Sequence, residues 1–175
     1  MTLPLNHMGI VTVTFLCLFL IMGCGYQMVG KETHVPPGLT SVSIPTFQNK
    51  TYEPGIEIQF TQAFLREFIL DKRVKVVSRA EADSILEGVI KYFSIYSVAY
   101  NKAGFVSQYQ TNVIIDITLK DRSGKILWEK RDFSETTWFR ASSSALINET
   151  NKQVAIQEAG RLAAGRIRNQ VFYNF

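Results

Sequence analysis

Charge is missing from the first 30 residues: Met1 to Gly30 hold no Lys, Arg, Asp or Glu, and all 34 charged side chains lie from Lys31 onward. Histidine occurs twice, at His7 and His34, and cysteine twice, at Cys17 and Cys24. These scarcities remove most familiar chemistry. His34 stands beside Pro36-Pro37 as a solvated residue, so a Ser-His-Asp or His-metal centre would rest on it alone. Gly-x-Ser-x-Gly, Walker and Gly-x-Gly-x-x-Gly motifs are missing as well. The acidic pairs Asp121/Glu129 and Asp132/Glu135 fall in predicted hairpins, where they balance neighbouring Lys and Arg. The expectation is a binding or scaffold protein with no catalytic residues, no metal site and no cofactor. A net charge of +4 is too mild for a nucleic-acid-binding tail.

What the first 30 residues do have is an apolar run. Ile10 to Met22 is thirteen residues without charge. As a helix it covers about 20 Å, short of the roughly 20 residues that a bilayer core needs. It has the length of the apolar region of a secretory signal. Ile21-Met22-Gly23-Cys24 follows and resembles a bacterial lipobox. The resemblance implies cleavage after Gly23 and lipid on Cys24. Gly25, where Asp would retain a lipoprotein in the inner membrane, implies the outer membrane. Several acyl chains at about 0.8 kcal/mol per buried CH₂ make a stable anchor. Cys17 leaves with the signal, so the only other cysteine carries lipid and no disulfide or free thiol remains. The chain is thus divided into a cleaved signal peptide over 1–23, a lipidated tether over 24–38 and a single domain over 39–175.

Periodicity supplies the fold. Thr40 to Phe47 alternates as a first strand, which Pro45 places at an edge or ends. Pro54 opens a helix over Ile56 to Leu70, with Ile56, Phe60, Ala63, Phe64 and Phe68 on one face. Val74 to Val77 is a short apolar piece. Ser84 to Tyr100 reads as a long strand apolar on both faces, with Ile85, Val89, Phe93 and Ile95 on one side and Leu86, Ile90, Tyr92, Tyr96, Val98 and Tyr100 on the other. Gly88 inside it signals a bulge or a close approach. Asn101 to Gly104 turns the chain into a strand over Gln108 to Lys120, and Asp121 to Gly124 turns it again into a strand over Lys125 to Phe139. A last helix over Asn148 to Phe172 carries Ala155, Ile156, Ala159, Leu162, Ala163 and Ile167 as its apolar stripe. The expected class is α+β: a β-α-β-β-β-α two-layer sandwich with two helices packed on a four-stranded mixed sheet.

Ten aromatic residues crowd the stretch from Tyr92 to Phe139. Either both sheet faces are half-buried, or one face or edge meets another protein. Tyr96, Tyr100, Phe105, Trp138 and Phe139 are the partner-interface candidates, because Tyr, Trp and Phe bring large rigid area to interfaces. Basic residues lie among them, a mixture that suits an anionic amphiphile.

The ordered segments together resemble the LPS-assembly lipoprotein LptE family. They are Cys24-Gly25-Tyr26, Val42 to Thr51 (Val-Ser-Ile-Pro-Thr-Phe-Gln-Asn-Lys-Thr), Glu53-Pro54-Gly55-Ile56-Glu57 and Ala82 to Ile90 (Ala-Asp-Ser-Ile-Leu-Glu-Gly-Val-Ile). The resemblance implies an outer-membrane lipoprotein on the periplasmic face. It implies a plug in the LptD β-barrel that assists the barrel's assembly and binds lipopolysaccharide (LPS) on its way to the surface. It also implies two basic LPS-binding positions. Lys102 matches the one in the hairpin, and Arg140 is the nearest candidate to the one before the last helix. The alternative is a regulatory or secretion lipoprotein of the curli-secretion or synthase-activator type, which shares the lipobox and the Ala-Asp-x-x-Leu-x-Gly strand.

Overall fold

A computed structural model describes residues 39–173. The chain runs through β1 (Ser41–Ser43), β2 (Gln48–Asn49), α1 (Ile56–Asp71), β3 (Lys75–Val76), β4 (Ser84–Tyr100), β5 (Val106–Asp121), β6 (Ile126–Arg140) and α2 (Ala145–Tyr173). The class is α+β, two helices on one mixed sheet, but the sheet has six strands rather than four. Their order is β3-β1-β4-β5-β6, with β2 also pairing β4. The extra strands come from two short segments. Pro45, which lacks an N–H, ends the first strand, and pairing with β4 resumes at Gln48↔Val89. The apolar piece after α1 becomes β3 and takes the edge beside β1, in parallel. The first strand is therefore internal, and Pro45 marks its end.

The helix faces are those the periodicity gives. Ile56, Phe60, Phe64 and Phe68 of α1 are buried, as are Ala155, Ile156, Ala159, Ala163 and Ile167 of α2. They close on Val113, Ile115, Ile117 and Leu119, the inward side of β5, to make one core. The helices approach closely at Gly160, where a Cβ would stand 3.3 Å from that of Ala63. Arg168 bridges their ends, 2.9 Å from Glu67 and 3.3 Å from Asp71. Arg73 also pairs with Asp71, and its guanidinium lies 4.3 Å over the Phe172 ring.

The Ala82 to Ile90 run has a structural reason at each main position. Asp83 accepts hydrogen bonds from the Thr40 hydroxyl and from Ser41 Oγ at 2.8 Å. Those two hydroxyls, with Arg122 nearby, hold its carboxyl below the usual carboxylate range. Ser84 Oγ donates to the Ser41 carbonyl at 2.9 Å. Leu86 is wholly buried. Gly88 answers the close-approach reading: a Cβ there would meet the Phe47 ring at 2.4 Å.

A line of irregularities crosses the sheet at mid-height. Ile90 pairs with Ile115 but Tyr92 pairs with Ile114, so Lys91 is an extra residue in β4. On the other side of β5, Ile115 pairs with Phe133 and Ile117 with Lys130, so Asp116 faces both Arg131 and Asp132. Asp132 takes a left-handed φ of 51°. Lys91 Nζ closes the line, 2.6 Å from Asp132 Oδ1 and 3.3 Å from Asp116 Oδ2. The bulge corrects the two-face assignment of β4. Below it Leu86 and Ile90 face the helices; above it Phe93 and Ile95 do, opposite the buried Val113 and Thr111. Tyr92 and Tyr96 are thereby turned to the outer face.

Candidate functional site

Three segments meet at the end of the sheet beyond the bulges. The β4–β5 turn is built on Asn101, whose Oδ1 accepts the N–H groups of Ala103 at 2.9 Å and Phe105 at 3.0 Å. Gly104 completes it at φ 82°, a conformation that favours glycine. This turn lifts Lys102 and Phe105 into solvent, Phe105 being 71% exposed. The second segment is the end of β6, placed in the same region by Gln108↔Arg140. The third is the β6–α2 loop. Asn148 clamps it, accepting from Ser142 N–H at 2.7 Å and donating to the Ser142 carbonyl at 2.8 Å.

A cleft of about 560 Å³ opens between these segments, lined by Asn101, Phe105, Tyr109, Arg140 and Ser142 among others. Among the described residues, the side chains of Lys102 and Arg140 have no ion-pair or hydrogen-bond partner. Most other arginines among the described residues are engaged, as Arg131 is by Glu129 and Arg168 by Glu67. Arg140 lines this cleft beside Phe105 and Tyr109, and Lys102 lies on the adjoining turn without lining it. A smaller cleft of about 380 Å³ lies on the helix side, lined by Ile95, Tyr109, Phe139 and Lys152. Its lysine is already held by Glu53 at 2.8 Å and Glu149 at 3.0 Å.

The interface candidates separate into two groups. Tyr96, Gln110 and Trp138 stand in one row across β4, β5 and β6. Tyr96 is 50% and Trp138 57% exposed. The Tyr92 and Tyr96 hydroxyls are 3.0 Å apart, and the neighbouring hydroxyls of Ser94 and then Tyr92 hold the Tyr96 hydroxyl below its ordinary pKa. Tyr100 and Phe105 continue the exposed surface to the strand tip. Phe139 does not belong to it. It faces the helix side at 9% exposure and stacks on Tyr109 with 5.1 Å between ring centres. Alternation along β6 puts neighbours Trp138 and Phe139 on opposite faces. Tyr92, Ile95 and Val98 are exposed at the same end and were not selected from the sequence. The charged Lys91 within an apolar run was the signal that the faces exchange there.

Cys24 and the segments assigned to signal and tether lie outside the described residues. Among the described residues no group of three His, Cys, Asp or Glu side chains could hold a metal ion. No helix among them is long and apolar enough to cross a membrane.

Residues 39–171 match a family model described as LptE, lipopolysaccharide-assembly. No curated protein matches the chain. Among solved structures, a protein of Xanthomonas campestris is similar at 10% identity, over 74% of this chain and 83% of its own, with a TM-score of 0.50. Rare lipoprotein B from Shewanella oneidensis is similar at 16% identity, over 75% and 92%, with a TM-score of 0.48. A putative lipoprotein of Caulobacter crescentus is similar at 12% identity, over 72% and 87%, with a TM-score of 0.49.

Proposed function

The chain belongs to the LptE, lipopolysaccharide-assembly, family, and from that premise we propose that it is an outer-membrane lipoprotein anchored on the periplasmic face through lipid on Cys24. In this reading it plugs the LptD β-barrel, helps that barrel assemble and binds LPS in transit to the surface. It acts by binding and does no catalysis. The observation that carries the lipid-binding part is the pair of unpartnered cations, Lys102 and Arg140, at the aromatic end of the sheet. Phosphates would meet the cations, and sugar or acyl carbon would meet Phe105 and Tyr109. Tyr96, Tyr100, Phe105 and Trp138 are the surface offered to the barrel wall.

Two measurements test the reading. Lys102→Glu combined with Arg140→Glu is expected to lower LPS affinity by about 10-fold or more, with the far-UV circular dichroism unchanged. Unchanged affinity would remove both residues from the site. In co-purification, LptD is expected to accompany the full chain. A protein that ignores LptD and forms homo-oligomeric rings would instead be a lipoprotein of the secretion or synthase-activator type.

A further inference from the structure

The sheet ends on β6, and the two halves of that edge differ. The half from Ile126 to Asp132 is protected by means that natural edge strands use. It carries Glu129, Lys130, Arg131 and Asp132 in succession, and it is bent by the two-residue bulge and the left-handed Asp132. The half from Phe133 to Arg140 lacks the charge run and the bulge, and its one inward charge, the buried Glu135, is met by Arg166 at 3.1 Å. It pairs with β5 in unbroken register from Phe133↔Ile115 to Arg140↔Gln108 apart from the bulge below it, and it has no Lys or Pro. The opposite edge of the sheet, β3, is only two residues long.

Antiparallel geometry fixes which backbone groups of this half are free. Ala141 N–H donates to the Ser107 carbonyl at 3.1 Å. Hydrogen-bonded and non-hydrogen-bonded pairs alternate from there. Phe139, Thr137, Glu135 and Phe133 therefore spend their N–H and C=O groups on β5. Ser134, Thr136, Trp138 and Arg140 turn theirs outward. Helix α2 already takes one of these: Asn151 Nδ2 donates to the Arg140 carbonyl at 3.0 Å. The donors and acceptors of Ser134, Thr136 and Trp138 are left facing solvent, in line and spaced for a strand.

We infer that the Ser134–Trp138 edge is a docking site for an extended segment of a partner protein, which adds to the sheet as a seventh strand. A row of alternate backbone donors and acceptors is matched by another extended backbone. Charge narrows the segment further. The free Arg140 guanidinium lies at one end of the row. Arg166, 3.1 Å from the buried Glu135, stands at the rim with its side chain 60% exposed. An acidic residue in the segment would meet this basic rim. The inference rests on the barrel-plug reading only in identifying the partner: it assigns that contact to strand addition as well as to aromatic packing.

Amide hydrogen exchange on the full chain tests it, with and without the purified LptD barrel. In the free protein the Ser134, Thr136 and Trp138 amides should exchange fast and those of Phe133, Glu135 and Thr137 slowly. In the complex the three fast amides should slow by about 10-fold or more. A complex in which they stay fast overturns strand addition and leaves the barrel reading intact. Absence of any complex overturns both. Slowing that depends on concentration without the barrel makes the occupant a second copy and overturns the assignment to a partner. Thr136→Pro removes one outward N–H while leaving every bond to β5, and should weaken barrel binding by about 10-fold without changing LPS affinity. Full barrel affinity in a folded Thr136→Pro variant overturns the inference. The exchange measurement decides alone if that variant does not fold.

Discussion

Phe47 lies flat on the backbone of β4 because residue 88 has no side chain. Gly88→Ala would drive a methyl to 2.4 Å of the ring, and the ring cannot retreat because it is packed against Phe64 at 4.9 Å. Overpacking of this kind costs about 1–3 kcal/mol, and a lowered denaturant midpoint at constant slope is the expected result. Asp71 is a second position where one residue carries several contacts. Its hydrogen bond with Arg73, then the charges of Arg73 and Arg168, outweigh desolvation and hold its carboxyl below the ordinary 3.8. A lowered native pKa stabilises the fold above the unfolded value, and the stabilisation is lost as pH falls through the native one. Asp71→Asn should therefore be less stable than the parent at neutral pH. The difference should close as pH drops below 3.8 and through the lowered value, as urea midpoints across pH would show. The glycine was legible in the sequence as a close approach. The Asp71–Arg168 contact was not, because it joins residues 97 positions apart (168 − 71) and nothing in either neighbourhood names the other.

Elements followed from periodicity where one face alone is buried. Helices α1 and α2 and strand β5 have their predicted faces because each repeat runs uninterrupted. Strand β4 did not, because an alternation count carries straight through Lys91, whereas the pairing inserts that residue. Strands β1, β2 and β3 are two or three residues long; the alternation over Thr40 to Phe47 located β1, whereas β2 and β3 are too short for a period to register, and β4 holds β1 and β2 while β1 holds β3. The helix pair depends on small residues in the same way that β4 depends on Gly88. Gly160 sits against Ala63 and the Phe60 backbone, and Ala159, Ala163 and Ala164 are buried beside it. Gly160→Leu should force the helices apart and lower stability by about 1–3 kcal/mol. Thermal unfolding monitored at 222 nm would report it, and an unchanged Tm would mean that the helices are not held by this contact.

At the scale of the molecule, the helices cover one face of the sheet, and α2 reaches the end of β6, where Asn151 donates to the Arg140 carbonyl. The tip of the β4–β5 hairpin stands beside that end and brings Lys102, Arg140 and the exposed aromatic residues into one region. Composition pointed to this region, since the aromatic residues crowd Tyr92 to Phe139. It did not separate Phe139 from Trp138, because the sign of an alternation is fixed only by a partner strand. Nor did it show that Lys102 and Arg140, 38 positions apart (140 − 102), share one end of the sheet. That follows from the register of two successive hairpins, both closed by an Asx residue and a left-handed glycine.

The Lys91 insertion gives the long strand two reading frames, joined at one residue. Below the join even-numbered positions are interior; above it Phe93 and Ile95 are, until the register shifts again past Ser97. A graft of the hairpin tip from a relative therefore transfers its surface intact only if the cut is made on the tip side of the join, or if the inserted residue travels with it. A cut that loses the insertion would carry every tip side chain across to the wrong face while leaving the aligned sequence looking unchanged.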